Sequence, residues 1–217
     1  MFRKQHLPGQ GFFKDPDKRR EEEREEKKNV AYTRHEVKNF NEKEILAQLR
    51  DPKKQRKAFE EIVRTFSEKL YWQIRNIVIV HDDADDVLQN TLIKAWTNIG
   101  AFRGESKLST WLYKIAYNES LTFLAHKKAT VSIDDGDAST AARMEGDSYM
   151  DGDETMALLT KAIESLPEKQ RAVFNMKYYQ EMKYEEISEI TGTSVGALKA
   201  SYHIAVKKIE EFFHSHD

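Results

Sequence analysis

The sequence has 217 residues, 33% of them charged and 39% apolar, with 35 Lys and Arg against 37 Asp and Glu for a formal net charge of -2. It contains no cysteine, which excludes disulfides, thiolate metal sites and cysteine nucleophiles and fits a reducing, cytoplasmic setting. No apolar run approaches the ~20 residues that cross a bilayer, so no membrane insertion is expected, and the opening "MFRKQHLPGQGFF" lacks the continuous apolar stretch of a secretory leader.

Residues 1–38 read as a charged N-terminal extension. The stretch "DKRREEEREEKKN" mixes both signs with no apolar stripe. It is either a solvated single helix held by i, i+4 pairs or a disordered tail. The Phe12-Phe13 pair stands alone within it. Such a pair either anchors in a partner's groove or folds back on its own domain.

Helical periodicity is strong over residues 40–128. Ile45, Leu46 and Leu49 predict a short first helix that ends before Asp51-Pro52. Phe59, Ile62, Val63, Phe66, Leu70 and Ile74 recur at spacings of three and four and predict a second. A third begins after His81, where Asp82 and Asp83 suit a helix N-terminus, and ends near Gly100. A fourth is expected over residues 109–128. Residues 129–152 then break the pattern with small, acidic and Gly residues. They read as a flexible linker whose coil spans roughly 25–30 Å, so the flanking units can sit well apart. Residues 153–213 are helical again. Met156, Leu159, Ile163 and Leu166 form one stripe, and Pro167 opens the next helix. The expected fold class is all-α, two small helical domains over residues 40–128 and 153–213, joined by the acidic linker.

The most specific local signal is "YEEISEITGTSVGALKASYHIAVKKI". Ile187 and Ile190 share one face of a short helix, Gly192 supplies a left-handed terminus, and Thr193 or Ser194 can cap the helix that follows. Val195, Leu198, Tyr202 and Ala205 are its buried candidates, which leaves Lys199, Ser201, His203 and Lys207 outward or flanking. That second helix carries no acid before Glu210. Two short helices around a Gly-bearing turn form a DNA-binding helix-turn-helix, and phosphates repel carboxylates. The pattern alone also permits an ordinary helical hairpin with a solvated basic face.

The third helix is unusual on a 3.6-residue wheel. Ala84, Leu88, Leu92, Ala95, Trp96 and Ile99 form one stripe, read as core. Asp86, Gln89, Ile93 and Thr97 line up almost opposite, with an isoleucine in the middle of a polar face. Either this helix is buried on both sides or that face docks a partner. In the fourth helix, Trp111, Leu112, Ile115, Tyr117, Leu121 and Leu124 alternate with Lys107, Lys114, His126, Lys127 and Lys128. Aromatics among cations suit unstacked bases of a single strand, although such a stripe also suits a core. The loop "FRGESKLST" is polar and Gly-bearing and can form a pocket for a base drawn from the stack.

Residues 166–209 resemble region four of bacterial sigma-70 family factors, which reads the promoter's minus-thirty-five element. Leu166-Pro167, Gln170-Arg171, Tyr184, Glu186-Ile187, Gly192, Val195-Gly196, Lys199 and Lys207-Lys208 carry the match. The resemblance implies upstream duplex contacts from Ser194, Lys199, Ser201, His203 and Lys207. "DADDVLQNTLIKAW" is similar to the sigma region two segment that docks core RNA polymerase, which implies a core-binding role for Asp86, Gln89, Asn90 and Ile93. "FRGESKLSTWLYKIAYNESLTFLAHKK" is similar to the segment that melts and reads the minus-ten element. By that likeness Phe102, Lys107, Ser109 and Asn118 lie at a captured non-template base, and Lys114, Tyr117, Lys127 and Lys128 face DNA. The order of the two blocks matches the short extracytoplasmic-function group. Family members often carry Arg where this chain has Ser201, Ile204 and Val206, and are often richer in Arg near Ala125 and His126.

The resemblance implies an initiation specificity factor with no catalytic residues, no cofactor and no metal. Its partners would be core RNA polymerase, promoter DNA as duplex and as non-template single strand, and an anti-sigma factor or another recruiting protein. Residues 1–38 lie outside both matched blocks, and that placement with the Phe12-Phe13 pair predicts an additional protein contact there. The linker's acids, Asp134, Asp135, Asp137, Asp147, Asp151 and Asp153, would thread the basic template and RNA channel as a nucleic-acid mimic. The rival reading is a helix-turn-helix regulator that binds duplex DNA without polymerase docking. It leaves the Ile93 face and the aromatic fourth helix unused. An interaction module with vestigial DNA contacts is a third. Enzyme readings find no scaffold: His214 and His216 sit two apart near the C-terminus, and no phosphate-cradling Gly-Lys loop is present.

Overall fold

The structure is a computed structural model. It describes residues 40–133 and 154–216, with side chains for 40–130 and 157–216. The extension 1–38 and the acidic linker residues named above therefore lie outside the described residues. Eight α-helices and no strand are found among those described. The chain divides into two compact units, Met1–Thr65 and Phe66–Asp217, the first described only from residue 40.

Helix α1 spans Glu42–Leu49. Asn41 caps it, its side-chain oxygen accepting the Glu44 backbone N–H at 3.3 Å. Helix α2 spans Gln55–Val78 and buries Ala58, Phe59, Ile62, Phe66, Leu70, Ile74 and Ile77, the expected three-and-four spacing. Ile79 follows with φ +74. A β-branched residue takes that conformation only where tertiary contacts impose it.

Helix α3 spans His81–Asn98, and a short 3-10 turn over Ile99–Ala101 ends it at Gly100 as expected. Asp82 and Asp83 lie in its first turn, where the unpaired N–H groups favour negative charge. Its buried line is Ala84, Val87, Thr91, Ala95 and Ile99, with Leu88 and Leu92 half-buried. Thr91 is tolerated at 0% exposure because its hydroxyl donates to the Val87 carbonyl at 2.7 Å. Trp96, expected in the core, is instead 42% exposed. Val87 and Thr91 occupy the buried line in its place, and the core seam lies to one side of the stripe drawn on the wheel.

Helix α4 spans Leu108–Ile133 and runs beyond the expected end at residue 128. It packs against α3, with Leu108, Leu112, Ala116 and Ser120 buried. Helices α5 (Glu154–Glu164), α6 (Glu168–Tyr178), α7 (Tyr184–Thr191) and α8 (Val195–His214) complete the chain. Gly192 at φ +70 ends α7, donating its N–H to the Ser188 carbonyl. The terminus therefore uses a glycine where an L side chain would be strained. Ser194 then caps α8, its hydroxyl accepting the Ala197 N–H at 3.4 Å.

The two helical blocks of the second unit are packed together. Helix α4 lies on α7, and one apolar cluster joins Ile77 and Tyr117 to Ala172, Val173, Met176, Ile187, Ile190 and Leu198. Tyr113, Leu121 and Leu124 of α4 close its edge. The linker length permits separation but does not require it. Apolar surface that α3 leaves uncovered on α4 is buried instead against α6 and α7, at roughly 25 cal/mol per Å² removed from water.

Candidate nucleic-acid and partner interface

Helix α3 turns its polar face to solvent. Asp86, Gln89, Asn90 and Ile93 are all exposed, Ile93 at 62%. The helix is thus not buried on both sides by any described residue. Ile93 and Trp96 are exposed on the same helix and add apolar area to a polar surface.

The loop before α4 turns at Gly104, which takes φ +75. Phe102 leans on Trp111 with ring centroids 5.3 Å apart, and both rings are half-buried. Ser109 is half-buried beside them in sequence, while Lys114 and Asn118 are exposed on successive turns of α4. Tyr117 is 5% exposed and sits inside the apolar cluster. The phenol of neighbouring Tyr113 is pushed up to about 12 by burial and stays neutral.

Three lysines of this surface already hold acids. Lys107 lies 3.5 Å from Glu186 of α7, and Lys128 pairs with Glu168 of α6. That hydrogen bond holds the Glu168 carboxyl below its ordinary value. Lys127 pairs with Asp83 and lies 5.9 Å from the centre of the Phe123 ring. Glu186 also accepts the Lys183 backbone N–H at 3.1 Å, half of a capping box at the start of α7.

Arg171 is the least expected residue here. It is 5% exposed, and its guanidinium donates to the carbonyls of Ile77 (2.6 Å), Glu164 (2.8 Å) and Leu166 (3.2 Å). Asn175, one turn on, donates to the Asn76 carbonyl at 2.9 Å. The last carbonyls of a helix lack intrahelical donors, so α6 satisfies the C-terminal end of α2. Burial lowers the guanidinium's pKa, against the opposing charges of Glu168 and Glu164. Sequence spacing had no means of pairing Arg171 with a carbonyl 94 positions away.

In the helix-turn-helix, α8 buries Leu198, Ala205 and Ile209, while Val195 and Tyr202 are half-buried. Ser194, Lys199, His203 and Lys207 are exposed and Ser201 is half-buried. Lys199 lies 5.8 Å from the centre of the Tyr184 ring, and Lys207 pairs with Glu211 at 3.6 Å. No group of His, Cys, Asp and Glu able to hold a metal occurs among the described residues. No described helix is long and apolar enough to cross a membrane.

Comparison with known proteins agrees with this arrangement. Residues 62–130 match the family model described as Sigma-70 region 2, and residues 156–209 match Sigma-70, region 4. The chain is 31% identical over 156 residues to the ECF RNA polymerase sigma factor SigW of Bacillus subtilis, covering 67% of this chain and 83% of that one. It is 28% identical over 166 residues to the RNA polymerase sigma-H factor of Pseudomonas aeruginosa, covering 72% and 86%. Among solved structures it is similar to the sigma factor RpoE of Bartonella quintana, determined with the anti-sigma factor NepR. That likeness has a TM-score of 0.61 and 25% identity, over 73% of this chain and 98% of that one. The fold is also that of CnrH in complex with the cytosolic domain of CnrY, with a TM-score of 0.59 and 22% identity over 81% and 99%. The chain belongs to the sigma-70 family, in its extracytoplasmic-function group. It is a sigma factor that binds RNA polymerase and recognises promoters, and the regulator acting without polymerase is not favoured, since region two is present as well.

Proposed function

We propose that the exposed face of α3 docks core RNA polymerase through Asp86, Gln89, Asn90 and Ile93. The observation that carries this is Ile93, 62% exposed amid polar neighbours. An apolar side chain held in water by a rigid helix is surface ready to be buried by a partner. The loop and α4 handle the minus-ten element. Phe102, Lys107, Ser109 and Asn118 receive a non-template base drawn from the stack, an event costing a few kcal/mol in unstacking. Lys114, Tyr117, Lys127 and Lys128 steer the strand. Ser194, Lys199, Ser201, His203 and Lys207 hold the upstream duplex, with the two domains over residues 40–128 and 153–213 each carrying one element.

The acids of region four bear on this reading. Glu186 and Glu168 occupy Lys107 and Lys128 as phosphates would, and Tyr117 is covered. Promoter DNA therefore has to exchange carboxylate for phosphate and draw α6 and α7 off α4 before region two can use these groups. The nucleotide chemistry is the polymerase's, and this chain works in the cytoplasm without catalytic residues of its own. An anti-sigma factor, of the kind seated on the RpoE neighbour, or another recruiting protein engages the chain, with residues 1–38 and their Phe12-Phe13 pair as the added contact.

Run-off transcription with core polymerase and a promoter library tests the core of this proposal. Initiation above core alone is expected at a subset of sequences. No gain at any sequence contradicts it. For the extension, a pull-down in which deletion of 1–38 leaves every partner in place would remove its assigned role.

A further inference from the structure

The solvent side of α8 holds a strip with almost no hydrogen-bonding capacity. Gly196, Ala197, Ala200 and Ile204 are all exposed along it, with Ile204 at 45%. Gly196, Ala200 and Ile204 follow at steps of four, so they stack one turn above another on one side of the helix. Lys199 and His203 border the strip, and Lys207 lies beyond its end. Helix-turn-helix proteins present this side, from the N-terminal turns onward, to the floor of the major groove.

Each base pair shows a distinct edge there. Guanine offers two acceptors, which a guanidinium reads in bidentate fashion; adenine suits Asn or Gln; thymine offers an acceptor and a C5-methyl group. The strip contains no guanidinium and no carboxamide. It does contain two methyl groups from alanines and a branched butyl group from Ile204. The only apolar group on the major-groove floor is the thymine methyl. Carboxylates are lacking from α8 up to Glu210, so nothing on the strip repels the flanking phosphates, and Lys199 beside the strip and Lys207 past its end can meet them.

We propose that Ala200 and Ile204 are specificity-determining residues that read thymine C5-methyl groups in the upstream promoter element. This rests on the reading of α8 as the duplex-binding helix. Recognition is then by shape and apolar contact, with thymine preferred over cytosine because cytosine lacks the methyl. Guanine tracts gain little, since the strip has no forked donor for them. Burying one methyl-sized group changes a dissociation constant by roughly fourfold.

Deoxyuridine differs from thymidine by that methyl alone, which gives a direct experiment. Holoenzyme reconstituted with the full chain is allowed to select promoters from a library randomised upstream. The thymidines of the selected upstream element are then replaced by deoxyuridine on either strand. Expected are thymine enrichment, weakening of about fourfold per contacted methyl, and loss of that sensitivity in Ile204→Ser. Ile204→Arg is expected to shift the selected sequences toward guanine. Selection of guanine-rich elements, or equal binding of thymidine and deoxyuridine promoters by a holoenzyme that still initiates, overturns the inference and leaves the sigma reading standing. Failure of the holoenzyme to initiate anywhere overturns that reading itself, and this inference with it. Circular dichroism of Ile204→Ser confirms that the exposed substitution leaves the helices intact.

Discussion

Arg171 shows how much one side chain can organise. Its guanidinium, buried beside apolar neighbours, would be costly if unpaired, and three carbonyls at two helix ends accept from its two terminal nitrogens, while Nε finds no partner among the described residues. Removing it leaves those carbonyls without their donors. Arg171→Ala is expected to lower unfolding free energy by about 3 kcal/mol, measured by urea denaturation. Arg171→Lys keeps the charge but cannot fork to three acceptors, and it is expected to recover only part of the loss. A variant as stable as the parent would mean that the carbonyl contacts contribute nothing. Gly192 was legible beforehand because its left-handed role follows from its place between two periodic segments. Arg171 was not. Its charge reads as surface in a linear sequence, and only the fold brings the end of α2 to it.

Among the elements, α3 divides most cleanly between a packed face and the exposed face proposed for partner contact. Ala84, Val87, Thr91, Ala95 and Ile99 hold it to the body of the domain. The opposite face has no packing role, so substitutions there test function without confounding stability. Ile93→Asp is expected to change stability by no more than about 0.5 kcal/mol. The same variant should fail to co-elute with core polymerase and should lose stimulated transcription. Full activity in Ile93→Asp would remove α3 from the docking surface. The amphipathic signal of this helix was readable because an isoleucine broke a polar face. Its exact seam was not, since a modest rotation of the buried line drops Trp96 from one edge of the stripe and brings in Val87 at the other, and the facing helix decides that rotation. The helix-turn-helix was the most legible element, because Gly192, the Ser194 cap and the buried Ile187, Ile190 and Leu198 are all local rules acting within one short stretch. The end of α4 was the least, since the transition from helix to linker has no proline or capping glycine to mark it.

For the whole molecule, the all-α class followed from periodicity and was borne out among the described residues. The packing of α6 and α7 on α4 did not follow, because the linker's composition speaks only to reach. The contact carries its own pH dependence. Pairing with Lys128 holds the Glu168 carboxyl below 4.5, so the pair contributes stability above that ordinary value and loses it as pH falls through the lowered one. Glu168→Gln is expected to melt at a lower temperature than the parent at pH 7, with the gap closing as pH falls below 4.5 and through the lowered value. A gap that stays constant across that range would show that the ion pair does not contribute. If Lys107 and Lys128 meet DNA as proposed, the contact competes with DNA for them, and both ion pairs are partly exposed and weaken with salt.

The central claim is that this chain makes RNA polymerase open DNA at a chosen place, and strand opening is itself measurable. Permanganate attacks thymines only where they are unstacked. With holoenzyme assembled from the full chain on a selected promoter, a short patch of reactive thymines near the start site is expected, absent with core polymerase alone and absent with Ile93→Asp. Thymines that stay unreactive on every promoter the holoenzyme is given would contradict the account.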